Sequence, residues 1–274
     1  MLRAVIFDLD DTLIADQATA RASVRSAARL LSGADPDRVV EAVLTAADAA
    51  WCSGPYGDLA SELGISSREG LWSHFEGCHP RLAGLAAWAP TYRAETWRTA
   101  LAALGTRDPA LATAMADAYE AAQRAGHPLL EGAEEVVRRA VTRYRVGLLT
   151  NGPGDIQRHK VEGTGLGPLF RAFVVSGEVG VGKPSPEVFE LVLGALGVGP
   201  EEAVMVGDNW DRDIHGALAS GVAAIWVAGG RPVPEPALGV PVAASIADVG
   251  GLLEAWDASE GLASAGSPLR PSEH

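Results

Sequence analysis

Lysine is almost absent from this chain. Only two of its 22 basic residues are lysine, Lys160 and Lys183, and the rest are arginine. Each retained lysine is therefore a candidate for a role that arginine does not fill. Cysteine is equally scarce, with only Cys52 and Cys78. Without CxxC or a Cys/His ligand spacing, a disulfide scaffold and a structural zinc site are excluded, and two small core thiols are expected. Positive charge is in deficit: 22 Lys and Arg stand against 35 Asp and Glu, a formal net charge of −13. Such a chain lacks the basic footprint of a nucleic-acid binder. If it binds an anion, the attraction must be local, from a metal, a lysine or backbone N–H groups. No apolar run is long enough to cross a bilayer, and carboxylates interrupt what would be the apolar region of a signal peptide. A soluble cytoplasmic protein with neither membrane nor nucleic-acid partner is expected.

What is present is a globular composition, 47% hydrophobic and 21% charged over 274 residues, enough for one large domain or two modest ones. Short apolar runs at 4–7, 146–149, 173–175, 203–206 and 223–227 lack polar alternation, so they predict strands buried on both faces of a parallel sheet. Helical patterns lie between most of them. One spans 134–144. Another spans 186–196, with Ser185 at the N-cap, Pro186 at its first position and Gly197 past its end. This alternation predicts an α/β core with a Rossmann-like parallel sheet.

One interval departs from it. Between 16 and 125 only helical signals occur, at 21–31, 38–51, 58–63, 92–104 and 109–124, separated by Gly and Pro, Pro90 among them. Four of the seven tryptophans fall there. The expected organisation is a core from 1–15 plus 126–257, an inserted all-helical cap at 16–125, and a structureless tail at 258–274.

Four segments follow predicted strands, at the edge where open parallel sheets bind ligands. Asp8 and Asp10 flank Leu9 in DLDDT. One carboxylate can attack phosphorus, and a second can protonate a leaving oxygen and then deprotonate water. Taken alone, both could equally cap a turn. Thr150-Asn151-Gly152 offers a hydroxyl and backbone N–H groups to phosphate oxygens, or is an ordinary turn. Lys183, after a glycine-rich loop, could neutralise a transferring phosphoryl group, or sit in solvent. Asp208, with Asp213 about a turn further on, could ligate Mg²⁺, which prefers hard oxygen donors. Asp211 between them is expected to face solvent.

Taken together, FDLDDTL, LLTNG, GKPSPEVF and GDNWDRDIHGA resemble the haloacid dehalogenase superfamily of phosphohydrolases, whose motifs stand in this order. The resemblance covers about 1–15 and 126–250, and the position of the insert resembles members with a helical cap. It implies Asp8 as nucleophile and Mg²⁺ ligand. Asp10 would be general acid/base, with its backbone carbonyl on the metal. Thr150, Asn151 and Lys183 would bind the phosphate, with Lys183 also stabilising charge. Asp208 and Asp213 would complete the metal site. The implied activity is Mg²⁺-dependent hydrolysis of a small phosphate monoester: a sugar, nucleotide or carboxylic-acid phosphate.

Members that dehalogenate lack an acid two residues after the nucleophile, so Asp10 argues for ester cleavage over a haloacid dehalogenase. A non-catalytic binding protein on the same fold is a further alternative, weakened because every catalytic position is filled. Phosphonate-cleaving members use a cap lysine, and neither lysine lies within 16–125. In the cap, His74, His79, the arginines and the tryptophans are candidate substrate contacts, with ordinary packing or solvation favoured for each. A monomer or a homodimer is compatible with the sequence.

Overall fold

The computed structural model describes residues 1–234 and 239–265. Strand β1, Ala4–Phe7, is followed by six helices: α1 Asp16–Ala28, α2 Pro36–Ser53, α3 Gly57–Leu63, α4 Ser67–Gly70, α5 Ala83–Ala103 and α6 Pro109–Arg124. The chain then returns through α7 Ala133–Ala140 to β2 Arg145–Thr150, α8 Gly154–Thr164 and β3 Ala172–Val175. A short helix α9, Ser176–Val179, and α10, Pro186–Leu196, lead to β4 Ala203–Gly207. A π-helical turn at Trp210–His215, helix α11 Gly216–Ala219, β5 Ala223–Val227, β6 Val242–Ala243 and α12 Val249–Ala265 complete the fold.

Among the described residues, six strands form one sheet of order β3-β2-β1-β4-β5-β6, with every pairing parallel. This is the α/β, Rossmann-like core expected from the sequence. β1 is internal, pairing with β2 on one side and β4 on the other, and the strand order reverses about it. That reversal opens a crevice at the carboxyl ends of the strands.

Side-chain alternation explains the two covered faces. Val5 and Phe7 pack with Val136 and Val137 of α7 and Leu253 of α12. Ala4 and Ile6 pack the opposite way, with Val188, Phe189 and Val192 of α10. Each such buried Val, Ile or Phe contributes roughly 1.5–3 kcal/mol. The strand ends are thereby held rigidly enough to aim the residues that follow them.

The helical interval has its own apolar core. α1 packs on α2 and α6, and α5 packs on the same two, closing a ring of four helices. Trp51, Trp88 and Tyr92 cluster inside it, and Trp97 packs on Tyr119. These aromatics are packing groups. The bundle docks on the sheet through hydrogen bonds around its rim. Ser176 donates to the Leu63 carbonyl at 2.6 Å, and the His79 N–H donates to Gly177 at 2.7 Å. Asp155 accepts from Ser73 Oγ and the His74 N–H, each at 2.7 Å.

Several local expectations need correction. Pro90 does not separate helices but lies inside α5. Leu85, Ala89 and Tyr92 on either side of it are buried, and this packing outweighs the missing N–H. α7 ends at Ala140 rather than continuing to 144. Ser185 holds the N-cap position of α10 without a side-chain cap hydrogen bond. Neither cysteine is a core thiol: Cys52 is exposed and Cys78 half-buried. α12 continues to Ala265, where structure was expected to stop at 257. Its last turns are Ala-rich, and the prolines come only later, at Pro268 and Pro271. Residues 266–274 lie outside those described.

Candidate active site

Asp8 leaves the end of β1 with its N–H donated to the Val206 carbonyl of β4, at 2.9 Å. Its carboxylate is buried, and Oδ1 accepts from Lys183 Nζ at 2.6 Å. The same ammonium lies 2.7 Å from Asp213 Oδ1 and donates to the Leu149 carbonyl at 2.8 Å. Burial disfavours a charged lysine, but the Asp213 and Asp8 carboxylates outweigh it and hold the ammonium protonated.

The loop bearing Lys183 is clamped from β2. Asn151 Oδ1 accepts the Lys183 N–H and its Nδ2 donates to the Lys183 carbonyl, both at 2.9 Å. Asn151 thus fixes the lysine, a role its expected phosphate contact did not suggest. Arg212 adds a second bond to that carbonyl, at 3.0 Å, and reaches Ser61 of the helical interval. Thr150 is buried, with its Oγ1 accepting from Gln157 at 2.7 Å.

Asp208 follows β4, and Asp213 lies in the π-helical turn beyond it. Asp8, Asp208 and Asp213 each place a carboxylate oxygen within 4.8 Å of the other two. Gly207 makes this possible, since a Cβ there would lie 2.3 Å from Asp213 Oδ2. Asp211 is 86% exposed, as expected. Burial, with neighbouring carboxylates adding to it, pushes Asp8 up to about 7 even against Lys183. Asp208 is likewise pushed up to about 7 by burial and Asp213, with Arg231 opposing. Three buried oxygen donors that resist sharing negative charge suit a small hard divalent cation, which would relieve that repulsion.

Asp10 sits at the mouth of the crevice, its side chain 23% exposed. Both its oxygens accept from Lys160 Nζ, at 2.9 and 3.0 Å, and Oδ2 also accepts from Gln157 at 2.9 Å. Burial and the nearby Asp16 carboxylate raise its proton affinity well above the usual carboxylate range, with Lys160 opposing. A carboxyl whose proton affinity is raised in this way is better suited to act as an acid.

All the residues expected at the site line one cavity of about 160 Å³: Asp8, Asp10, Thr150, Asn151, Lys183, Asp208 and Asp213. The helical interval contributes Gly64, Ser66, Arg68 and Glu69 to its wall. His74 and His79 do not line it. His74 pairs with Glu120 on the surface, and His79 packs against Gly180. Sequence reasoning missed α4 and its acid Glu69. The signal was there in Ser66-Ser67-Arg68-Glu69, a capping box in which Ser66 and Glu69 each satisfy the other's backbone N–H. It also left Lys160 and Gln157 unassigned, although the scarcity of lysine had marked the first.

The haloacid dehalogenase-like hydrolase family matches residues 2–221 of the chain. The chain belongs to that family. It is 38% identical to a phosphoserine phosphatase of Thermus thermophilus over 236 residues, 86% of this chain and 92% of the relative. Among solved structures it resembles the HAD-hydrolase YfnB of Bacillus subtilis, bound to magnesium, with a TM-score of 0.64 and 19% identity. That likeness covers 92% of this chain and 99% of the other. It also resembles a 2-haloacid dehalogenase of Pseudomonas syringae pv. Tomato, with a TM-score of 0.56 and 25% identity over 93% of this chain and all of that one. The Thermus relative agrees with the enzyme class expected from the motifs, a phosphoric monoester hydrolase. Among the described residues, no helix is long and apolar enough to cross a membrane.

Proposed function

We propose that this hydrolase is a Mg²⁺-dependent phosphatase acting on a small phosphate monoester through an aspartyl-phosphate on Asp8. The observation that carries this reading is the convergence of Asp8, Asp208 and Asp213 beside the Lys183 ammonium. Mg²⁺ would be held by these carboxylates, with the Asp10 backbone carbonyl as a further donor, and would supply charge neutralisation for the phosphate.

An Asp8 oxygen attacks phosphorus while the ester P–O bond breaks, and Asp10 gives its proton to the departing oxygen. Asp10 then takes a proton from water as that water attacks the phosphorus. The bond between phosphorus and Asp8 breaks, and inorganic phosphate leaves. Lys183 offsets the repulsion between the Asp8 carboxylate and the incoming dianion. Thr150 and the Asn151 N–H hold phosphate oxygens.

Among sugar, nucleotide and carboxylic-acid phosphates, the compact cavity and the Thermus relative favour a small substrate resembling phosphoserine. Asp10 disfavours dehalogenation, since a halide departs without a proton. The test is phosphate release from a panel of phosphate monoesters, O-phosphoserine included, with and without Mg²⁺. Release that is Mg²⁺-dependent and lost in Asp8→Asn supports the proposal. Undiminished release by Asp8→Asn overturns it.

A further inference from the structure

Lys160 has no part in the chemistry above, yet it is among the most deeply buried side chains in the protein. Its side chain is 0% exposed, and it projects from α8 into three carboxylates. Nζ lies 2.9 and 3.0 Å from the two oxygens of Asp10, 2.7 Å from Asp16 Oδ1 and 3.7 Å from Glu69 Oε1. These acids come from the loop after β1, the start of α1 and the cap helix α4. Gln157, three residues earlier on the same face of α8, holds Asp10 Oδ2 at 2.9 Å and Thr150 Oγ1 at 2.7 Å.

A buried ion cluster is a poor source of stability, because desolvating the charges consumes most of what their attraction returns. Apolar residues of similar volume would hold this junction as well. What they would not do is fix a carboxyl group by both its oxygens. A free aspartate side chain turns about two bonds, and a proton donor is useful only when aimed at the leaving oxygen.

We propose that Lys160 is a positioning residue for the general acid: its ammonium, shared with Asp16 and Glu69 where cap meets core, holds the Asp10 carboxyl in the orientation that protonates the leaving group. This rests on the acid role proposed for Asp10, and the test separates the two. Acid assistance matters for an alkoxide, which leaves poorly, and little for 4-nitrophenolate, which leaves without a proton.

The measurement is kcat/KM for the best alkyl phosphate of the panel and for 4-nitrophenyl phosphate, in the parent, Lys160→Met and Asp10→Asn. Lys160→Met is expected to lower the alkyl value by about 10²-fold or more and the nitrophenyl value by less than about tenfold, the selectivity expected of a misaimed acid. Asp10→Asn is expected to show the same selectivity. Should Lys160→Met leave the protein unfolded, Lys160→Met/Glu69→Gln removes one cation with one carboxylate, and the same ratio is read from it. Equal losses on both substrates for the lysine variants, with selectivity kept in Asp10→Asn, overturn the positioning role and leave the acid in place. Selectivity in neither variant overturns both.

Discussion

The Lys183 ammonium sits between Asp8 and Asp213, 2.6 Å from one carboxylate and 2.7 Å from the other. One lysine thus neutralises the proposed nucleophile and a proposed metal ligand together. Lys183→Met would leave both acids buried without their cation. Loss of one partner from such a cluster costs about 3–5 kcal/mol. A lowered midpoint in urea without metal is expected, together with a fall in kcat of about 10²–10³-fold, the scale of a lost transition-state charge contact. A variant with unchanged kcat would remove Lys183 from the chemistry.

Asp8→Asn keeps the shape of the strand end and removes the proposed nucleophile. Turnover of 4-nitrophenyl phosphate is expected to fall by several orders of magnitude while the circular dichroism spectrum stays that of the parent. Acid-quenched parent enzyme should carry covalent phosphate, detectable by intact mass, and Asp8→Asn should carry none.

The carboxyls of Asp8 and Asp208 are raised from 3.8 to about 7 by burial and their acidic neighbours. A raised carboxyl binds a proton more tightly folded than unfolded. The stability it contributes is therefore complete below 3.8 and is lost as pH climbs through about 7. Metal binding requires the ionised forms, so it strengthens over the same window. The rise in Tm on adding Mg²⁺ should be larger at about pH 8 than at about pH 5, and Asp208→Asn should flatten the difference. A Mg²⁺ increment independent of pH would contradict the assignment.

Gly207→Ala tests the packing beneath the proposed metal site. The added methyl would meet Asp213 Oδ2 at 2.3 Å, deep in the sheet. Asp213 must move, and overpacking of this kind costs about 1–3 kcal/mol. Calorimetry should show a lower Tm, and Mg²⁺ titration a weaker apparent affinity. Unaltered Mg²⁺ affinity would mean that Asp213 plays no part in the site.

Incubation with 2-chloropropionate should release no chloride above the uncatalysed background, since the acid role proposed for Asp10 serves ester cleavage. Measurable release, lost in Asp8→Asn, would revive the dehalogenase alternative.

The sheet was legible because its strands are short unbroken apolar runs, and β1 and β5 were predicted to the residue. The two-residue β6 is too short to carry a pattern. The core of the site was legible because Asp8 and Asp208 follow directly on strands, Thr150 ends one, and Lys183 lies in the loop before a helix. Strand order alone then brings them to one edge. Glu69 and Gln157 were not legible in this way. Their importance comes from the docking of α4 and α8 against the loop after β1, and no local periodicity encodes how a helical insert sits on a sheet. The second task of Asn151, the grip of its side chain on the Lys183 loop, was not legible because it is a contact across 32 residues.

Bundle and core are bonded to each other at His74, His79, Leu63 and Ser61, and both contribute walls to the small chamber. Traffic into and out of that chamber is therefore governed by the seam. A ligand too large for it must break rim bonds such as those at His74 and His79 and replace them with contacts of its own, so bulk is taxed at the threshold, ahead of any bond cleavage. Those two amides are accordingly natural reporters of opening, and deuterium uptake there should track how often the chamber exchanges its contents.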